Sequence, residues 1–259
     1  IWMVMTWPFC LCEFKKIHKN LSIKFLLILI CIGFTSFIFL TDSRNALLGL
    51  LISTPIVLGS SSLIWYLPTL ITGLSFLAIA VVPIFPESFQ VFMKSIIPSR
   101  LYTLFPEIGF QYLRSYPRVN KWIAALDFIS SKPIFGWGAA SFPIIYKFKS
   151  GEWFGHSHNL PLELAVSYGI IPSFTIFFTY LFILYLAFKK IYSKNNFQNT
   201  YFLSNQRAWF TSFLIFFISH LVDILYFDVR ISIYCWILLA GLKSFIEENN
   251  NKQDDILFK

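Results

Sequence analysis

The sequence predicts an all-α protein, a polytopic transmembrane helix bundle with one long extracytoplasmic loop containing amphipathic helices. The first observation is composition: 56% of the 259 residues are hydrophobic, 13% are charged, and the mean hydropathy is +0.65. These values exclude an ordinary water-soluble globular domain. The other two observations are the length of the apolar runs and the positions of Lys and Arg along the chain.

Six apolar segments are long enough, or nearly so, to cross a hydrocarbon core of about 30 Å as helices of about 20 residues. The second segment is short and contains Pro55. The chain starts with Ile1, and its first twelve residues resemble the end of a helix, so we expect a single membrane domain that lacks its N-terminal spans. The six segments are 22–40, 45–59, 62–85, 160–188, 208–226 and 230–246.

Basic residues in the short connections give the orientation. By the positive-inside rule, clusters of Lys and Arg mark cytoplasmic connections. Six alternating spans then make 86–159 an extracytoplasmic loop and 247–259 a cytoplasmic tail. The two clusters are Lys15, Lys16, Lys19 and Lys24 before the first span, and Lys189, Lys190, Lys194 and Arg207 between the fourth and fifth.

Within the long loop, apolar residues recur at helical spacing and predict an amphipathic helix over 119–131. Such a helix can lie on the membrane surface or pack on the transmembrane bundle as a lid. Pro133, Gly136 and Gly138 then bracket an aromatic pair and predict a fixed structural turn. The glycine spacing matches neither of the common nucleotide-binding patterns.

The string His156-Ser157-His158-Asn159 leads directly into the fourth apolar segment. Asn159 is a typical N-cap, and Pro161 is tolerated in a first helical turn. The N-terminus of that helix favours an anion, and an imidazole beside it can move a proton near neutral pH. The alternative is that both histidines are interfacial polar residues without a role.

No metal site is expected from the sequence. Two histidines at i and i+2 do not share a helical face, and neither Cys nor a further His lies near them. The cysteines fall in or beside apolar segments and suggest neither a disulfide framework nor a metal site. They are Cys10, Cys12, Cys31 and Cys235.

Charged residues at two span boundaries need an explanation because such charges require a partner. Asp42 or Ser43 can cap a helix that begins at Arg44, whose guanidinium suits a phosphate. The alternative for Arg44 is that it reaches for lipid headgroups. In the string from Asp223 to Arg230, Asp228 and Arg230 can pair with each other or with the polar loop.

Three motifs in this order resemble the O-antigen ligase/polymerase family of membrane glycosyltransferases. The single long loop and the orientation agree with that family, and the resemblance covers about 40–230. The motif around His158 carries an additional histidine, His156. The matching residues are Ser43-Arg44, then Arg118 and Trp122 leading to Pro133-Ile134-Phe135-Gly136-Trp137-Gly138 and Phe142, and His158-Asn159 with Leu162-Glu163 and Gly169.

The resemblance implies that a glycan moves from a polyprenyl-pyrophosphate carrier, such as an undecaprenyl carrier, to an acceptor hydroxyl outside the cytoplasm, without a nucleotide sugar, cofactor or catalytic metal. The implied partners are this donor, a lipid A-core or growing glycan acceptor, and membrane lipid, but no nucleic acid. The implied location is the bacterial inner membrane. His158 is the implied catalytic residue. The implied substrate-binding residues are Arg44, Arg118, Arg100, Arg114, Asn159, His156 and Glu163.

Two activities fit this chemistry equally: a ligase that attaches a finished glycan in lipopolysaccharide biosynthesis, and a polymerase that joins repeat units. An alternative from another class is a membrane protein related to inorganic carbon (bicarbonate) transport, which the Asp223–Arg230 string also resembles. A transporter should bury ionisable residues near mid-membrane. Here Arg44, Arg118 and His158 sit at or outside the predicted span ends, which favours the enzyme.

Overall fold

The computed structural model describes residues 1–16, 20–41, 43–82, 84–97, 101–102, 117–192 and 200–257. Within these ranges the chain forms α-helices and no β-strand, which confirms the predicted all-α class. A 3₁₀ turn over Ser60–Ser62 joins the third helix to the fourth. The helices are α1 (Trp2–Lys15), α2 (Leu21–Leu40), α3 (Arg44–Leu58), α4 (Leu63–Val81), α5 (Glu87–Ile96), α6 (Pro117–Ser131), α7 (Phe142–Ser150), α8 (Leu160–Tyr168), α9 (Ile170–Ile191), α10 (Thr200–His220) and α11 (Val229–Leu257).

Four helical segments in the described ranges are long and apolar enough to cross a membrane. α3 is apolar but has only 15 residues, and α10 begins with a polar stretch and is not among the four. Membrane crossing by these two helices therefore stays a prediction. The four segments are Leu21–Leu40, Ser60–Val81, Ile170–Ile191 and Val229–Glu247.

The core of the bundle forms where α1, α3 and α10 pack against one another. Val4 and Phe213 are fully buried in this core. Gly49 of α3 permits a close approach, because a Cβ there would lie 2.7 Å from Val4 and 3.1 Å from Ile215. In contrast, α2 and α4 expose apolar side chains along most of their length, as expected for helices whose solvent is lipid.

The sequence predicted one helix over 160–188, whereas the structure has two helices, α8 and α9, that meet at Gly169. Gly169 has a φ of +93°, a conformation that strains any residue with a side chain. A continuous apolar run does not reveal such a break, because both helices are apolar.

The turn that follows α6 docks onto this break. The Ile170 amide donates to the Pro133 carbonyl at 2.8 Å, and the Gly138 amide donates to the Ser167 carbonyl at 2.9 Å. Gly136, with a φ of +65°, approaches so closely that a Cβ would lie 2.6 Å from the Ser167 backbone. The turn predicted from the sequence is present, and it packs against the junction between α8 and α9.

α6 includes the predicted amphipathic helix 119–131 and packs on the bundle. Its buried face, with Ala125 and Phe128, contacts Phe142 and Val166. Ile123 and Leu126 stay exposed, at 60% and 57%. α6 therefore packs against α7 and α8, and its exposed apolar edge leaves room for contact with the membrane surface.

The docked turn predicts that Gly169→Ala is destabilising. The new Cβ would lie 1.8 Å from the Ile134 carbonyl oxygen at a φ of +93°, so the backbone must move. We expect a loss of at least about 1–3 kcal/mol, measured as a lower thermal unfolding midpoint in detergent. The control is Gly73→Ala inside α4, where a Cβ meets nothing within 4 Å. Equal midpoints for the two variants would contradict the docking.

Candidate functional site

Three separate elements meet at His158. The residue lies just before α8, Asp223 lies in the linker after α10, and Arg118 lies in the first turn of α6. His158 Nδ1 is 3.0 Å from Asp223 Oδ1. Arg118 Nη1 donates to the Val222 carbonyl at 2.9 Å, and Arg118 Nη2 is 4.0 Å from Asp223 Oδ2. An imidazole, a carboxylate and a guanidinium are thus brought together.

Asn159 fixes the segment that carries His158. Its Oδ1 accepts the Leu162 amide at 3.0 Å, which confirms the predicted N-cap of α8. Its Nδ2 donates to the Leu221 carbonyl at 2.8 Å, beside Asp223. One side chain therefore both starts α8 and ties the histidine segment to the linker after α10. The geometry gives Asn159 a positioning role.

His158 itself has a left-handed backbone, with a φ of +58°. This conformation is uncommon for residues other than glycine and occurs mostly where the surroundings enforce it. The ties made by Asn159 and by Ser157 on either side enforce it here.

Glu163, in the first turn of α8, contacts the segment that carries the histidines and is 1% exposed. Its Oε2 accepts the Ser157 amide at 2.8 Å. No residue in the described part of the chain hydrogen-bonds its buried Oε1. The contacts of Glu163 are with the loop backbone, so its proposed part in substrate binding acts through the shape of that loop.

His156 packs edge to face on His158, with ring centroids 4.3 Å apart. Its Nδ1 accepts the His158 amide at 3.2 Å. Burial, together with the charge of His158, lowers the pKa of His156. A neutral His156 that accepts at Nδ1 carries its proton on Nε2, so the hydrogen bonds assign this ring a supporting role.

The carboxyl group of Asp223 is held in its ionised form. Burial raises its pKa, but the hydrogen bonds from His158 and the Ile224 amide, with the charges of His158 and Arg118, outweigh burial and lower the pKa. The side chains of His158 and Asp223 are 24% and 27% exposed, so the pair is accessible to a substrate. When His158 Nδ1–H donates to Asp223, the lone pair of Nε2 is available to accept a proton.

Lys121 adds a second cation and was not predicted as a site residue. It lies three residues after Arg118 on α6 and is 4% exposed, with its ammonium 3.5 Å from the Phe154 ring centroid. Burial, followed by the charge of Arg118, lowers its pKa. The sequence contained no signal for Lys121, because its burial depends on a ring from a distant segment.

The other predicted residues lie at varying distances from this cluster. Arg44 is exposed at the start of α3, where Ser43 Oγ accepts the Ala46 amide at 3.3 Å. Asn45 and Ser219 line one small cavity, so the start of α3 lies beside the end of α10.

The remaining predicted residues are not part of the cluster around His158. Pro133, Gly136 and Gly138 belong to the docked turn, and Arg100 and Arg114 lie outside the described residues.

The boundary charges after α10 separate into two groups. Asp228 pairs with Arg230 at 2.7 Å, which decides between the two alternatives left open for them. Asp223 faces His158 instead. The only signal for Asp223 in the sequence was a carboxylate at the end of an apolar segment, which has to find a partner.

His156, His158 and Asp223 also offer metal-ligand atoms that lie within 4.8 Å of one another. The sequence did not suggest this group because Asp223 is 65 residues from His158. A metal ion bound through either Nδ1 would replace an existing hydrogen bond, because His158 Nδ1 bonds Asp223 and His156 Nδ1 accepts an amide, whereas binding through an Nε2 would not.

A family model described as O-antigen ligase matches residues 26–178. The matched range contains His158, Arg118 and Glu163, whereas Asp223 lies beyond it. No curated protein and no solved structure matches the chain. Since the match covers more than half of the 259 residues and the chain has apolar helices long enough to cross a membrane, the chain belongs to the O-antigen ligase family.

Proposed function

We propose that the protein transfers a glycan from a polyprenyl-pyrophosphate carrier to an acceptor hydroxyl on the extracytoplasmic face of the bacterial inner membrane. Membership of the O-antigen ligase family supports glycan transfer in polysaccharide assembly. The observation that carries the finer proposal is the His158–Asp223 hydrogen bond with Arg118 beside it. This arrangement combines a base with a guanidinium suited to a diphosphate.

The acceptor is activated by proton transfer to His158. Its Nε2 takes the proton of the acceptor hydroxyl as the acceptor oxygen bonds to the anomeric carbon of the donor sugar. Asp223 holds the required tautomer and stabilises the imidazolium that forms. The bond between the anomeric carbon and the pyrophosphate oxygen breaks, and its electron pair leaves with the pyrophosphate.

The departing diphosphate needs positive charge placed in advance. Arg118 and Lys121 are next to the histidines, and α8 presents its N-terminus two residues after His158. Arg44, at the neighbouring end of α3, is a candidate for a more distant phosphate or for the lipid. Arg100 and Arg114 remain further candidates. In this proposal the side chains provide the stabilisation, with no metal ion and no nucleotide sugar.

The acceptor is either lipid A-core, as in a ligase, or a growing glycan, as in a polymerase. The same base and the same leaving group operate in both cases. In this proposal the donor lipid reaches the site from the membrane, which the exposed apolar residues Ile123 and Leu126 of α6 can contact.

We expect His158→Ala to lower glycan transfer by about 10²–10⁴-fold, because the general base is removed. Transfer is measured from the gel pattern of surface polysaccharide in a strain lacking the native gene, with protein amount determined by immunoblotting. His158→Gln retains a hydrogen-bonding group but cannot accept and release a proton, so it should be similarly impaired.

The matched control for His158 is His156→Ala, which removes the same chemistry two residues upstream and should have a smaller effect. Activity that survives in His158→Gln but not in His158→Ala would replace proton transfer by a positioning role. Full activity in both variants would remove His158 from the mechanism.

Arginine-to-lysine exchanges test the diphosphate contacts. We expect Arg118→Lys to reduce transfer at least about tenfold, because an ammonium cannot bond the Val222 carbonyl and face an anion with the geometry of a planar guanidinium. Arg44→Lys should also reduce transfer if Arg44 holds a phosphate. Full activity in Arg44→Lys would show that this side chain only reaches for headgroups, and full activity in Arg118→Lys would contradict the proposed contact between the Arg118 guanidinium and the diphosphate.

A further inference from the structure

A second cluster of cations lies at the opposite end of the bundle from His158. Lys15 ends α1 and Arg207 lies in the first half of α10, about 20 Å along that helix from His220. Lys15 Nζ donates to the Leu58 carbonyl at 3.0 Å. The Nη1 atom of Arg207 lies against Gly59, where a Cβ would be only 2.6 Å away. The two charges are close enough to repel each other.

None of the carboxylates whose side chains the structure describes forms an ion pair with Lys15 or Arg207. Glu13, the acidic residue nearest in sequence to Lys15, lies 3.9 Å from Lys16. Arg207 stacks over the Tyr192 ring at 5.5 Å, and its buried Nε has no hydrogen-bond partner there. The neighbouring segments 17–19 and 193–199 contain neither Asp nor Glu, so they contribute no carboxylate either. Two adjacent cations without a counterion are unfavourable unless an anion joins them.

The turn between α3 and α4 adds neutral donors to the same place. Gly59 is followed by Ser60, Ser61 and Ser62, which form the 3₁₀ turn, and the side chains of Ser60 and Ser61 are exposed. The turn thus presents two hydroxyls next to Gly59, against which the Arg207 guanidinium lies.

A guanidinium, an ammonium and hydroxyls together match a phosphate group, whose oxygens accept several hydrogen bonds. Positive-inside counting assigns this end of the bundle to the cytoplasm, and Tyr192 is suited to headgroup depth. The cytoplasmic leaflet carries the anionic lipids that basic residues recognise. These observations favour a lipid phosphate over one delivered from solution.

We propose that Lys15, Arg207 and the Gly59–Ser62 turn bind the phosphate of an anionic phospholipid in the cytoplasmic leaflet. The bound phosphate neutralises the two cations and joins α10 to the ends of α1 and α3. Because α10 ends next to Asp223, a lipid that stabilises α10 also supports the far end of the helix. This site does not depend on the proposed glycan transfer.

The test is thermal unfolding of the purified full chain in mild detergent with phosphatidylglycerol, phosphatidylcholine or inorganic phosphate added. We expect phosphatidylglycerol to raise the midpoint by about 5 °C near saturation, with little change from the other two. Arg207→Gln and Lys15→Gln should remove most of this shift. Lys243→Gln, in α11 beside Glu247, is the matched control and should retain it.

The midpoint without lipid separates binding from a structural role. Removing one of two repelling cations should leave that midpoint unchanged or raise it. A lower midpoint together with a full phosphatidylglycerol shift in Arg207→Gln would make Arg207 structural and overturn the proposal. An equal shift with inorganic phosphate would assign the site to free phosphate and overturn the lipid assignment. If Arg207→Gln does not fold, Lys15→Gln decides by the same criteria.

Discussion

The hydrogen bond between His158 and Asp223 is the contact on which the arrangement of the site depends. It joins a loop before α8 to a linker after α10, 65 residues further along the chain. Arg118 brings a third element to the same point by bonding the Val222 carbonyl and facing Asp223. Without the carboxylate, the imidazole would have no fixed tautomer and the guanidinium would lose its anionic neighbour.

Hydrogen bonds from neighbouring residues fix the backbone on both sides of His158. Glu163 accepts the Ser157 amide, and Asn159 caps α8 while it bonds the Leu221 carbonyl. The turn after α6 docks on the break at Gly169 through backbone hydrogen bonds. Because α6 carries Arg118 and α8 follows His158, that docking sets the distance between the two side chains. Helix interruption and site geometry are therefore linked.

Local signals in the sequence predicted local features. The Asn159 cap, the amphipathic helix and the glycine turn each depend on residues close together in the chain, and the structure has all three. Asp223 was visible only as a charge at the end of an apolar segment, because its pairing depends on which helix ends meet. The break at Gly169 was hidden by apolar residues on both sides. The burial of Lys121 depends on Phe154, which belongs to a segment far along the chain.

The most direct test of the account is a double-mutant cycle on glycan transfer with His158→Gln, Asp223→Asn and the combined variant. If Asp223 acts through the imidazole, each single change removes the same function, and the double variant should transfer about as slowly as His158→Gln alone. Losses that multiply in the double variant would show that the two residues act independently. That result would contradict the proposal that their hydrogen bond organises the site.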